Sequence, residues 1–136
     1  MVDATGRRGN AAAVLQDAEL VAFIATSDID RARGFYCDVL GLTVVEESPF
    51  ALVLDAKGVQ VRVTPVEMPV VAPYTVLGWR VGDTASVVRE FATAGVVCER
   101  FDGMDQDRDG VWTAPGGEHI AWFRDPDGHL LSVTGH

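Results

Sequence analysis

The chain carries one pattern of turns and strands twice, and this internal repeat constrains its fold more than any other feature. A shift of 55 residues places Val76 on Val21, and a shift of 70 residues places Gly128 on Gly58. Solenoids and propellers need more than two such units. Two copies must instead pack as neighbours, each helix covering one face of its own sheet, while the remaining faces curl toward each other.

The first copy reads as strand, helix and three strands. After an apolar strand over residues 20–25, Ser27 or Asp28 can cap a helix, because short side-chain oxygens accept the free N–H groups of a first turn. Apolar residues then recur at helical spacing as far as Leu40, and Gly41 ends the helix. The three strands are predicted over residues 43–46, 50–54 and 59–64.

The second copy repeats that order after a proline-rich linker, residues 65–73. A strand over 74–81, a cap at Asp83 or Thr84, a helix ending at Gly95 and a strand that includes Cys98 are predicted. The fold class is therefore α+β. Two tandem βαβββ modules, about 19–66 and 74–136, form a curved mixed sheet around a central cavity, with the helices outside. Residues 1–18 are expected to be a loose extension, and 19–136 a single domain.

A hairpin turn at Asp125-Pro126-Asp127-Gly128 ends the second copy. Pro126 presets φ, Asp125 can accept an Asx-type hydrogen bond, and Gly128 takes a conformation that other residues resist. Apolar runs flank the turn on both sides. This hairpin sets the register that directs the side chains of the last strand inward.

Charge and composition exclude several function classes. The formal net charge of -9 argues against a nucleic-acid or anionic-membrane partner. No apolar stretch is long enough to span a bilayer, and the N-terminus lacks a signal-peptide pattern, so a cytoplasmic protein is expected. Cys37, in a predicted helix, and Cys98 match no metal or disulfide pattern and are expected to be small buried hydrophobes.

Alternation along the strands predicts which side chains face the cavity. Ala22, Ile24 and Thr26 would pack under the helix, which leaves Val21, Phe23 and Ala25 on the concave face. The same alternation adds further residues to that face: Gln60, Arg62, Thr64, Val76, Gly78, Arg80, Leu130, Ser132 and Thr134. A bulge would shift these assignments together.

Two stretches resemble a known family. They are Asp28 with Phe35-Tyr36-Cys37-Asp38-Val39-Leu40-Gly41-Leu42, and Phe123-Arg124-Asp125-Pro126-Asp127-Gly128-His129. With the repeat, which extends the match over about residues 20–134, the chain resembles the vicinal oxygen chelate superfamily, the glyoxalase, bleomycin-resistance and extradiol-dioxygenase group. That fold hosts lyases, epimerases, dioxygenases, thiol transferases and pure binding proteins.

The resemblance also implies where a metal would be held. Metal-dependent members use His or Gln on the first strand and Glu on the last strand of each module, and alignment on the caps and turns puts Val21, Val76, Arg62 and Ser132 there. Valine has no lone pair and Arg62 would add like charge, whereas such ions need imidazole and carboxylate. We expect neither this metal nor another cofactor.

An organic ligand that is flat or apolar and carries an anionic or carbonyl group fits these residues. Arg62 or Arg80 would pair with the anion, and Trp112 or Trp122 would stack on a planar group. Arg62 is alternatively a solvated residue or a partner of Asp55 or Asp102, and the tryptophans are alternatively core residues. The predicted ligand-binding residues are Val21, Phe23, Arg62, Val76, Arg80, Trp112, Trp122 and Ser132.

Other candidates are weaker. Asp105, Asp107 and Asp109 suggest a calcium loop, but the EF-hand pattern needs Glu where Gly116 stands, so a solvated acidic loop, able to act as a lid, is favoured. His129 occupies a turn position. Glu118 and His119 could act together as a catalytic base or hold a displaced metal. Adjacent strand residues point to opposite faces, however, so both side chains cannot easily reach one ion. No catalytic residue is identified.

Two functions follow from the sequence. The first is a small-molecule-binding protein without the family metal, which sequesters an antibiotic or metabolite. The alternative is a lyase, isomerase or dioxygenase-like enzyme of the same superfamily, metal-free or with a displaced metal. By analogy, a homodimer is expected.

Overall fold

In the computed structural model, which describes residues 13–136, the first module starts with strand β1 (Val21–Thr26) and helix α1 (Ile29–Arg33). Asp28 is the N-cap, and its side chain accepts the N–H of Arg31 at 3.1 Å. A π-helical segment, Gly34–Val39, continues α1, and Gly41 ends it with a φ of 83°. The remaining strands are β2 (Thr43–Ser48), β3 (Ala51–Ala56) and β4 (Val59–Pro65).

The second module repeats this order. Asp83 caps its helix by accepting the N–H of Ser86 at 3.2 Å, and Gly95 follows the helix with a φ of 85°. Its elements are β5 (Thr75–Arg80), α2 (Thr84–Thr93), β6 (Trp112–Thr113), β7 (His119–Arg124) and β8 (Leu130–Gly135).

The strand predicted at Cys98 is wrong. The segment from Val96 to Val111 is irregular. It makes one backbone hydrogen bond to β7, from the Glu99 N–H to the Trp122 carbonyl at 2.7 Å, and the side chain of Gln106 binds other backbone groups of the segment. The Gln106 amide donates to the carbonyls of Glu99 (2.9 Å) and Gly110 (2.8 Å), and its carbonyl accepts the N–H of Phe101 at 2.7 Å. Val96 and Cys98 therefore pack against the core without joining a ladder, and Val97 is exposed.

The predicted α+β fold with two βαβββ modules is confirmed. Within residues 13–136, the strands form two four-stranded mixed sheets, in the orders β1-β4-β3-β2 and β5-β8-β7-β6. In each sheet the first and last strands of the module pair in parallel and the other pairs are antiparallel. The two sheets are not closed on each other, because β1 and β5 each pair on one side only.

One core joins the two modules. The ring of Phe123, on β7, is fully buried. Its centroid lies 4.8 Å from the ring centroid of Phe91 in α2, 6.5 Å from that of Trp79 in β5 and 6.4 Å from that of Phe35 in the first module. Trp79 is partly buried and packs against the buried cluster. Burying an aromatic ring of this size stabilises a fold by roughly 2–3 kcal/mol.

The predicted hairpin is present between β7 and β8. Gly128 has a φ of 97° and donates its N–H to the carbonyl of Asp125 at 2.9 Å. The Asp125 carboxylate accepts the N–H groups of Asp127 (3.0 Å) and His129 (2.9 Å), which includes the predicted Asx-type bond.

Two buried residues of this hairpin hold it against the first module. The hydroxyl of Tyr36, which is fully buried, donates to the second carboxylate oxygen of Asp125 at 2.6 Å. The imidazole Nε2–H of His129 donates to the carbonyl of Ala25 on β1 at 2.7 Å. His129, for which the sequence suggested only a turn position, therefore links the two modules.

Asp127 provides a third link, at the junction of β1 and α1. Its carboxylate accepts hydrogen bonds from the Thr26 hydroxyl (2.6 Å) and the Ser27 N–H (3.0 Å), and it pairs with the Arg31 guanidinium at 2.8 Å. Burial acts to raise the pKa of Asp127, but the hydrogen bonds from Thr26 and Ser27 and the charge of Arg31 outweigh it and lower that pKa below its ordinary value.

Residues 1–12 of the predicted N-terminal extension lie outside the described residues. The division into an extension and one domain stays a prediction. Across residues 13–136, no helix has the length and apolar character needed to cross a membrane.

We expect Tyr36→Phe to lower the free energy of unfolding by about 1–3 kcal/mol, because it leaves a buried carboxylate oxygen of Asp125 without a donor. Urea denaturation measures the change. Tyr74→Phe is the matched control, since the Tyr74 side chain is exposed. Equal stability of Tyr36→Phe and the parent would contradict a structural role for this hydrogen bond.

The lowered pKa of Asp127 makes part of the stability depend on pH. That part is complete above about pH 4, the ordinary pKa of Asp, and is lost as the pH falls through the lower pKa of the folded state. We expect Asp127→Asn to cost about 1–3 kcal/mol at pH 7, and to lose less stability than the parent on acidification. Denaturation from pH 7 to pH 2 tests this against Asp102→Asn, which changes an exposed carboxylate. If the stability of Asp127→Asn and of the parent changed with pH in parallel, Asp127 would not be the source of the pH dependence.

Candidate functional site

The predicted ligand-binding residues lie on the open faces of two sheets, the faces turned away from the helices. Predicted alternation is confirmed on β1, where Ile24 and Thr26 are buried and Phe23 is 68% exposed. A register shift occurs between Thr75 and Leu77 on β5, yet Val76 still faces outward. The predicted residues separate into Val21, Phe23 and Arg62 on the first sheet, and Val76, Arg80, Trp112, Trp122 and Ser132 on the second. Their role in binding stays a prediction.

On the first sheet, Arg62 stands between Phe23 of β1 and Val53 of β3, its two register partners. Its guanidinium makes no hydrogen bond or ion pair with any residue from 13 to 136. The interpretation of Arg62 as a structural partner of Asp55 is wrong, because no ion pair or hydrogen bond joins the two side chains. The Asp55 carboxylate accepts the N–H of Gly58 within its own turn at 3.0 Å. Within the same residues, Asp102 does not pair with Arg62 either. The cation is therefore available to a ligand or to water.

On the second sheet, Gly78, Ser132 and Trp122 stand side by side on β5, β8 and β7. A Cβ on Gly78 would lie 2.8 Å from the Ser132 Oγ, so the glycine gives that hydroxyl its space. The Ser132 side chain stands on the open face, as the hairpin register predicted.

The two tryptophans proposed as stacking platforms form one cluster on this face. The rings of Trp112 and Trp122 lie 6.2 Å apart, and Phe101 meets Trp122 edge to face at 5.4 Å. Both tryptophans are half-buried. Packing and ligand contact are therefore compatible, because each indole rests on a neighbour and still exposes part of its surface.

Next to this cluster a cavity of about 300 Å³ opens on the same sheet, lined by Gly78, Trp79, Arg80, Glu118 and Thr134. Arg80 and Thr134 are register partners. Among the described residues, Arg80 has no hydrogen bond or ion pair, even with Glu118 in the same cavity. The cavity therefore offers an unpaired cation and a separate carboxylate. Sequence reasoning identified Arg80 but missed that it shares a cavity with Glu118, since the two residues lie 38 positions apart.

The metal implied by the sequence resemblance does not fit the donors present. Val21 and Val76 carry no lone pair, Arg62 is a cation and Ser132 supplies one neutral hydroxyl. Within residues 13–136, no group of three or more His, Cys, Asp or Glu side chains is placed to hold a metal ion.

The acidic loop is organised by its own backbone. The Asp107 carboxylate accepts the N–H groups of Asp109 (2.9 Å) and Val111 (3.0 Å), which closes a turn. Its movement as a lid stays a prediction.

A larger cavity, of about 530 Å³, lies at the edge of the second sheet and was not anticipated. It brings Asp83 at the start of α2 together with Asp105, Asp107, His119 and His136. The Nδ1 of His119 lies 3.0 Å from the Thr113 hydroxyl. Sequence reasoning named His119 and the acidic loop separately, and only the fold places them around one space.

Neither cysteine has the character of a nucleophile. Both are half-buried free thiols. Burial raises the pKa of Cys37, and burial together with Asp109 raises that of Cys98, so both thiols stay protonated.

Comparison with known proteins adds a family match. The family model described as Glyoxalase/Bleomycin resistance protein/Dioxygenase superfamily matches residues 18–133. No curated protein sequence gives a significant match.

Solved structures share the fold at low sequence identity. A lactoylglutathione lyase from Agrobacterium tumefaciens is 18% identical, with 88% of this chain and 93% of that chain covered and a TM-score of 0.69. A superfamily member from Sphaerobacter thermophilus DSM 20745 is 20% identical, with 87% and 96% covered and a TM-score of 0.66. TioX from Micromonospora sp. ML1 is 22% identical, with 88% and 98% covered and a TM-score of 0.65.

Proposed function

This chain belongs to the glyoxalase/bleomycin resistance protein/dioxygenase superfamily, and we propose that it binds a small organic ligand on the open faces of its sheets, without the metal of its metal-dependent relatives. Sequestration of an antibiotic or another metabolite is the function that these faces favour. The ligand is largely flat or apolar and carries an anionic or carbonyl group.

The observation that carries this proposal is the unpaired Arg80 in a cavity of about 300 Å³. A guanidinium presents five N–H donors in a plane, and two of them match the two oxygens of a carboxylate. Thr134 and Glu118 line the same cavity and can exchange hydrogen bonds with the hydroxyl or amine groups of a ligand. The cluster of Trp112 and Trp122 supplies aromatic surface for a planar body.

The first sheet also carries an unpaired arginine beside exposed apolar side chains. Arg62 is unpaired among residues 13–136, and Phe23 beside it is exposed. Val21 extends this apolar surface along β1. A ligand that reaches both open faces would use both cations, so the two arginines are tested separately.

We expect 2-naphthoate, a planar carboxylate, to bind and to quench the tryptophan fluorescence. Neutral 2-naphthamide should bind at least tenfold more weakly, because it lacks the charge that strengthens a hydrogen bond to arginine. Arg80→Gln should weaken naphthoate binding by about tenfold for the same reason. Arg62→Gln measures the contribution of the first sheet.

Lys57→Gln is the matched control, because it removes one positive charge from an exposed turn. It should leave the affinity for 2-naphthoate unchanged. If Arg80→Gln and Arg62→Gln both bind as tightly as the parent, neither open face is the binding site and the proposal fails.

The alternative is a lyase, isomerase or dioxygenase-like enzyme, and His119 favours it. Its imidazole lines the cavity of about 530 Å³ together with Asp83, Asp105 and Asp107, so a proton carrier and carboxylates share one space. Metal analysis of protein purified without chelator separates the two functions. We expect less than stoichiometric metal, and one divalent ion per chain would favour the enzyme with a displaced metal.

We further propose a cytoplasmic homodimer. The outer strand β2 is exposed along its length, and exposed edge strands readily pair with another chain. Apolar side chains lie at or near this edge, with Val45 57% and Phe50 80% exposed. Cell fractionation tests the location.

Sedimentation equilibrium should give twice the chain mass of 14.6 kDa. Val45→Lys places a charge on the edge and should shift the protein toward monomer, whereas Val97→Lys, at an exposed valine outside β2, should not. A monomer mass for the parent would overturn the dimer.

A further inference from the structure

A second groove, lined by three arginines, lies on the second module between α2 and the irregular segment that follows it. Arg89 projects from α2, and Arg100 and Arg108 belong to the segment. The groove has a volume of about 300 Å³. None of these residues lines the cavity at Arg80. The chain has a net charge of -9, so three cations around one groove form a positive patch on an acidic protein.

The floor of this arginine groove is apolar. Val88 is buried there, and Ala92, Val96 and Val97 continue the apolar surface. The Cys98 thiol completes the floor. Because its pKa is raised by burial, the thiol is neutral and does not repel an anion.

The positive charge of the groove is not cancelled by neighbouring side chains. Arg100 donates to two backbone carbonyls, those of Gln106 (3.2 Å) and Arg108 (3.4 Å), which fixes its guanidinium without neutralising it. Arg89 and Arg108 form no side-chain hydrogen bond or ion pair within the described part of the chain. Arg100 also keeps free N–H donors, since only two of its five are used.

Carboxylates near the groove leave its charge in excess. The Glu99 carboxylate forms an ion pair with the Arg124 guanidinium at 2.7 Å. Asp109 is the acidic residue among those that line the groove, and no ion pair joins it to the three arginines. The charge of Asp107 also acts on the Cys98 thiol at the floor, and its carboxylate accepts the N–H groups of Asp109 and Val111. An anion that enters therefore meets three cations, with Asp109 in the lining and Asp107 near it.

We propose that the arginine groove binds an organic anion, a carboxylate or phosphate on a short aliphatic chain. The head group pairs with Arg89, Arg100 and Arg108, because guanidinium donors match the oxygens of both groups. The aliphatic chain lies on the floor at Val88 and Val96. This site is separate from the open faces and does not depend on the function proposed for them.

Hexanoate and hexyl phosphate are the probes, since they share one chain and differ in head group, and 1-hexanol is the neutral control. Titration of ¹⁵N-labelled protein should shift the amide signals of Val97, Cys98 and Asp109 with saturation for at least one anion and not for hexanol. Arg89→Gln and Arg108→Gln should each weaken that anion by about tenfold. Lys57→Gln, with the same loss of charge, should not.

The head group is identified by which probe saturates. Saturation by hexyl phosphate alone assigns a phosphate ligand, and saturation by hexanoate alone assigns a carboxylate ligand. Loss of binding in Arg80→Gln instead of Arg89→Gln would place the anion on the open face and overturn this site, as would shifts by hexanol equal to those of the anions. The absence of saturable shifts with both anions would overturn it as well.

Discussion

The docking of the second-module hairpin on the first module is the interaction on which the rest of the structure depends. Asp125 accepts the hydroxyl of a buried tyrosine, Asp127 binds the junction of β1 and α1, and His129 donates to the backbone of β1. These are buried polar groups, and each would destabilise the fold if its partner were removed. Every one of them has its partner in place, so the two modules share one core around Phe123.

This docking also determines what the open faces can offer. The same turn fixes the register of β8, and that register places Ser132 beside Gly78 and Trp122. Unpaired cations remain on the open faces. Arg31, at the junction of the modules, is neutralised by Asp127, whereas Arg62 and Arg80 have no counter-ion among residues 13–136. Unpaired cations over apolar and aromatic surface are suited to recognition of an organic anion.

Much of the fold could be predicted because its signals are local. The Asp28 cap, the glycines at positive φ and the alternation along β1 each follow from a few neighbouring residues. The strand predicted at Cys98 failed for the opposite reason. Apolar residues there satisfied a strand pattern, but a ladder needs a partner along its whole length. The segment has one backbone hydrogen bond to β7, at Glu99, and the Gln106 side chain binds the carbonyls of Glu99 and Gly110.

By itself the sequence determined the two βαβββ modules, the side of β1 that faces the helix and the absence of metal donors at the family's positions. These depend on residue type and spacing. Only the tertiary structure decided that Arg80 shares a cavity with Glu118, that His119 meets the acidic loop, and that Arg89, Arg100 and Arg108 surround one groove. Such groupings join residues far apart in the chain, and their distances depend on how whole elements pack, which no local pattern encodes.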